Sequence, residues 1–236
     1  MKTILSIFVL FFISSTFISA QTILNPGDVA IVGINCDNPN DFAFVLLTDI
    51  EAGTVINITD DGWKAEGGFR QNEGVVTYTS PSSLPAGTII INSVNSANFV
   101  VSGNFSLTTN GDQLIVFQGN INTPSLIYAL NNYGAGVWQA DAQNSNTSAL
   151  PTGLVNGFSA VALYEVDNAY YSEGPYSDIN LLRSLISDNA NWTGDDLNTF
   201  DFTVVLNGNL PVELSYFTAE VNGAQILLNW ITRHLD

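Results

Sequence analysis

The 236 residues, 46% hydrophobic and 11% charged, can build a core, which excludes a disordered chain, and their number fits one domain of about 200 residues plus extras. Twenty-two acids against five bases, a formal charge of −17, exclude a nucleic-acid-binding face, because phosphate contacts need clustered Lys and Arg. One Cys excludes an internal disulfide framework, and one His excludes a multi-histidine metal site.

Lys2, an apolar run over 4–13 broken only by Ser6, and a small-residue end at Ser19-Ala20 make the three-part pattern of a secretory signal peptide, residues 1–20. The apolar run is too short to span a bilayer, and no later window is apolar for about eighteen residues. The sequence therefore predicts a secreted, extracellular protein with no stable membrane insertion once the signal is cleaved. From there the pattern is β. Segments 29–34, 42–47, 54–58, 75–79, 88–91 and 113–117 are short, rich in Val, Ile, Thr and aromatics, and bounded by Gly, Pro, Asn and Asp. Asn110-Gly111, between Phe105-Ser106-Leu107 and Leu114-Ile115-Val116, is the strongest hairpin signal in the chain.

Beyond residue 120 the spacing predicts a strand over 125–130, a long polar loop over 131–151 and a strand over 158–166. Ser177 or Asp178 caps a helix over 179–187, whose Leu181, Leu182, Leu185 and Ile186 share one face. A closing strand is expected over 200–206. Short strands at this spacing read as an all-β sandwich or barrel, residues 21–207. After Asn207-Gly208-Asn209, segments 212–221 and 225–231 read as two strands joined at Asn222-Gly223. Two strands cannot bury a core alone, so 208–236 reads as the incomplete start of a second module.

Few residues suit nucleophilic chemistry. His234 is the only imidazole, Cys36 the only thiol, and no GxSxG elbow is present. Paired carboxylates are the other route, since a glycosidase needs two acids about 5–9 Å apart; Glu51, Glu66, Glu73, Glu165, Glu173 and many Asp are available. Calcium is the ion that oxygen-rich loops suit. Asp37 and Asp41 flank one such loop, Asp60 and Asp61 begin another and are the best placed, and Asp195-Asp196 is a third. The competing role for all of them is turn formation and capping. Aromatics in polar loops can stack on sugars or plug the ends of a sandwich. Tyr133 and Trp138, in the long loop, are the candidates for ligand binding, with Trp63 divided between that role and the core.

Two stretches carry a family likeness. The order GDVAIVG (27–33), DFAFVLL (41–47), AGTVI (52–56), TDDGW (59–63), LPAGT (84–88) and FSLTTNGDQL (105–114) resembles the lamin-tail-like domains of bacterial secreted proteins. The fold that this resemblance implies is an immunoglobulin-like β-sandwich. LPVEL (210–214), FTA (217–219) and LLNW (227–230) look like the opening of a fibronectin-III-like module, which commonly precedes the sorting tail in type IX secretion cargo of Bacteroidetes. That likeness implies an exported, surface or released protein and a parent longer than this chain. It also leaves the four N-x-[ST] sequons, at Asn57, Asn104, Asn146 and Asn191, without meaning for glycosylation. The expected function is a non-catalytic binding or structural module, without a cofactor, whose partners are glycans or other surface proteins. A carboxylate-based glycan hydrolase and a calcium-stabilised glycan-binding or adhesion module are the alternatives.

Overall fold

Eleven strands build two facing sheets: β1 (Val29–Asn35), β2 (Asp41–Leu46), β3 (Val55–Thr59), β4 (Val75–Thr79), β5 (Ile89–Ile91), β6 (Phe99–Ser102), β7 (Gln113–Asn120), β8 (Thr123–Asn131), β9 (Ala160–Ala162), β10 (Asn168–Tyr171) and β11 (Trp192–Asp195). One sheet has the order β11-β10-β1-β2-β5 and the other β6-β4-β3-β7-β8-β9, so the chain is an all-β sandwich. The computed structural model describes residues 20–173 and 178–206, and the backbone of two further strands, β12 (Glu213–Asn222) and β13 (Gln225–Arg233), which pair antiparallel. Residues 1–19 of the expected signal peptide, the cap candidate Ser177, and His234 lie outside the described residues.

β1 explains the layering. All seven of its residues are buried and no polar alternation interrupts them, as a strand covered on both faces requires. Its inner side joins an aromatic cluster between the sheets. There Phe44 meets Tyr78 edge-on at 5.7 Å, and Phe42 meets Phe99 at 6.0 Å. Its outer side is covered by two helices, α1 (Ile179–Ile186) and the single turn α2 (Phe202–Val205). Asp178 caps α1 by accepting from the amides of Asn180 and Leu181, and Leu182 and Ile186, one turn apart, face the sheet. Gly33 lies under the Phe202 ring, where a Cβ would come within 2.5 Å of Cε1.

The long segment after β8 has a topological cause. β8 and β9 are parallel neighbours, and a parallel pair needs a crossover of about a dozen or more residues. The crossover returns over the outer face of the six-stranded sheet and closes a second small core. Trp63, Phe69, Ile115, Phe117, Ala129, Leu154 and Ala160 are buried there, with Trp138 and Leu150 packed against them. Gly62 permits this contact, since a Cβ on it would lie 2.2 Å from the Thr147 carbonyl.

Three expectations are corrected. Segment 200–206 holds a helical turn, not a strand, because Asp201 accepts from the Thr203 amide and Phe202 and Leu206 both turn into the core. Residues 105–107 form no strand, since the Ser106 and Thr108 amides are taken by buried carboxylates. Segment 158–166 narrows to the three residues of β9.

Candidate functional site

Four acids gather near the ends of β3 and β7. Asp60 follows β3 directly, is buried, and accepts from the Gly74 amide at 3.0 Å and the Ser106 amide at 2.7 Å. Asp61, also buried, accepts from the Gln71 amide at 2.6 Å and so holds the loop in which Gln71 and Asn72 take positive φ. Asp112 accepts from the Thr108 amide at 2.9 Å and from the Gln113 amide at 2.8 Å. Glu73 lies 3.2 Å from Arg70 Nη2, and Arg70 Nε is 4.0 Å from Asp61. Burial raises all four carboxyl groups, Glu73 to about 7 and Asp112 to about 8. Asp60, Asp61 and Asp112 thus work as buckles for the loops at 69–74 and 105–108: both oxygens of Asp60 and of Asp112 accept from backbone amides, and Asp61 accepts from one through Oδ2.

The remaining calcium candidates serve the same local purpose. Asp37 accepts from Asn168 Nδ2 at 2.8 Å, and Asp41 accepts from the Phe42 amide, the Ser93 amide and the Ser93 hydroxyl. Among the described residues no three His, Cys, Asp or Glu side chains converge as metal ligands, so Asp60, Asp61, Asp37 and Asp41 are not gathered into one coordination shell. Cys36 is buried, and burial together with Asp112 pushes its thiol up, which keeps it protonated.

The aromatic candidates separate. Trp63 is 6% exposed, edge-on to Phe69 at 5.1 Å, with Nε1 donating to Thr152 Oγ1. Its ring belongs to the second core and offers no face to a ligand. Tyr133 is half-buried and its carbonyl accepts from Gln139 Nε2. Trp138, also half-buried, donates from Nε1 to Asn156 Oδ1 at 2.9 Å. That bond leads to a concave surface that sequence reasoning passed over.

A groove of about 320 Å³ runs between the 134–137 turn, the 156–162 segment and the C-terminal end of α1. Asn156, Ser184, Asp188 and Asn189 supply its polar wall, and Gly136 and Gly157 bring backbone to its edge. A second groove of about 200 Å³, lined by Tyr164, Glu165 and Trp192, has Asn189 as a wall in common with the first. No family model, curated protein or solved structure matches this chain. The geometry therefore stands alone.

Tyr164 is 68% exposed. It is held by a backbone bridge to Ala135 and by the Glu165 amide donating to the Gly134 carbonyl at 2.8 Å. A Cβ on Gly136 would meet the Tyr164 ring at 3.4 Å and Asn189 Nδ2 at 3.2 Å, so the glycine lets ring and amide close on the turn. Trp192 Nε1 donates to the Ile186 carbonyl at 2.8 Å, which fixes the indole plane. Asn156 has Oδ1 engaged by Trp138, Asp188 has Oδ1 engaged by the Ala190 amide, and Asn189 has Nδ2 engaged by the Ala162 carbonyl. Asn156 Nδ2, Asp188 Oδ2 and Asn189 Oδ1 remain open to a ligand among the described residues. Tyr164 was missed because it lies in a stretch read as strand, and Asn189 because its neighbourhood reads as turn. The helix-to-turn junction after α1 was the available signal.

Proposed function

We propose that this chain is a secreted or cell-surface, non-catalytic binding module of the lamin-tail-like kind. The observation that carries the reading is the pair of adjacent grooves with Asn189 as a common wall, open in their polar atoms, on a sandwich whose most buried acids are all engaged by backbone amides. Loops held by a rigid scaffold are the usual seat of recognition. Among the described residues no helix is long and apolar enough to cross a membrane.

The test is co-sedimentation of the full chain with insoluble polysaccharides and with glycosylated and deglycosylated envelope proteins, while reducing-end release is followed. Retention without sugar release is expected. Release that disappears in Glu73→Gln would replace this reading with the carboxylate hydrolase. Repeating retention in a calcium chelator separates the third alternative, since loss of retention there would mark a calcium-stabilised module.

A further inference from the structure

We propose that the two grooves form one cleft for a short, linear, neutral oligosaccharide, with Tyr164 and Trp192 as its stacking faces. The inference rests on the binding-module reading and names the ligand class for that same surface. Sugar rings present two chemistries together: an apolar C–H face that fits an aromatic plane, and hydroxyls that both donate and accept. The cleft supplies the counterparts of both. Both aromatics are planar, Trp192 fixed by its bond to the Ile186 carbonyl and Tyr164 presented by its backbone bridge with its ring beside Gly136, and the open atoms of Asn156, Asp188 and Asn189 include donors and acceptors side by side. The larger groove is within the usual range of small-ligand sites, about 300–1,000 Å³, and the second extends it past Asn189, so the shape suits linked units rather than one.

Charge decides between sugar classes. The walls carry Asp188 and Glu165 and no cation. Glu165 is raised first by burial and then by Asp167 and Asp196 acting through space, two further acids that make the surrounding field negative. Uronic-acid and sulfated chains meet repulsion there, whereas a neutral chain meets none.

The experiment is titration of the full chain with short neutral oligosaccharides of several linkages and with uronic-acid oligomers, by calorimetry and saturation-transfer NMR. At least one neutral series is expected to bind, and uronic-acid oligomers more weakly. Tyr164→Ala is expected to weaken binding about tenfold, with Tyr164→Trp restoring it. Tyr164 is exposed, so both variants should keep the parent thermal midpoint. Failure of every neutral series to bind at millimolar concentration overturns the inference, as does binding that Tyr164→Ala leaves intact. In the second case the binding module stands and only the cleft assignment falls. Sugar release during the titration would instead overturn the underlying reading.

Discussion

Single side chains in this molecule act mostly as ties between distant pieces of backbone, and Arg183 is the clearest. It is buried without a carboxylate partner among the described residues. Its charge is met by the Gly27 carbonyl at 2.7 Å, by Asn180 Oδ1 at 2.7 Å and by the Phe158 ring at 5.1 Å. One cation therefore ties α1 to the turn before β1 and to the crossover before β9. Hydrogen bonds from a charged donor are the strong kind, and a buried carbonyl left without a partner carries its full desolvation cost. Arg183→Met fills similar space without either bond and is expected to lower stability by about 3 kcal/mol in urea unfolding. An unchanged urea midpoint would show that the stem alone holds the helix. Arg183→Lys keeps the charge but not the planar fork, and should fall between the two.

Among the elements, the crossover is where local sequence and tertiary role diverge most. Residues 131–151 read as a polar loop, and their local composition is that of a loop. Yet Trp138 and Leu150 within it, and Leu154 just beyond it, are spaced irregularly and still close a core, because the returning chain is pressed onto Phe117 and Ala129 of the sheet beneath. Periodicity cannot show this, since the segment is neither helix nor strand. The inner strands were legible for the opposite reason: β1, β2, β3, β4 and β7 are apolar, β-branched runs between turn formers. The missed strands are short or disguised. β6 is an edge strand with exposed Val100 and Val101, β10 begins among the turn formers Asp167 and Asn168, and β11 reads Trp-Thr-Gly-Asp. Beside the candidate cleft, Trp138 was legible only as a loop aromatic, and its bond to the cleft residue Asn156 needed the fold. Gly62 tests the crossover directly. Gly62→Ala forces a Cβ against the Thr147 carbonyl, backbone on backbone, and overpacking of this kind costs about 1–3 kcal/mol. A lower thermal midpoint with faster proteolysis inside 132–158 is expected. An Ala variant with parent stability and parent proteolysis would mean the crossover is not seated on the end of β3.

At the scale of the whole molecule, charge and burial work against each other as pH rises. A formal charge of −17 was plain in the composition, but not that four of the acids sit together at one end of the sandwich. Asp60, Asp61, Glu73 and Asp112 are all raised by burial. An acid with a higher pKa folded than unfolded keeps its proton in the native state after the unfolded chain has released it. The resulting stabilisation is complete below the unfolded value, about 4 for Asp and Glu, and is lost as pH rises through the folded value. With Glu73 at about 7 and Asp112 at about 8, stability is expected to decline between about pH 4 and pH 8. Self-repulsion of the ionised surface adds to the decline in the same direction. Asp195, lowered by the Leu197 amide, acts oppositely but only on the acid side of its ordinary range. The thermal midpoint should therefore be higher near pH 5 than near pH 8. Salt separates the two causes, because exposed charges are screened and buried ones much less. Added salt should recover part of the loss at pH 8 by shielding the surface, while Glu73→Gln, which removes one buried titration, should flatten the slope at any salt concentration. A midpoint that climbs from pH 5 to pH 8 would mean that these carboxyl groups are ionised in the folded state, and that the amides of the loops at 69–74 and 105–108 are held by full charges instead of neutral carboxyl groups.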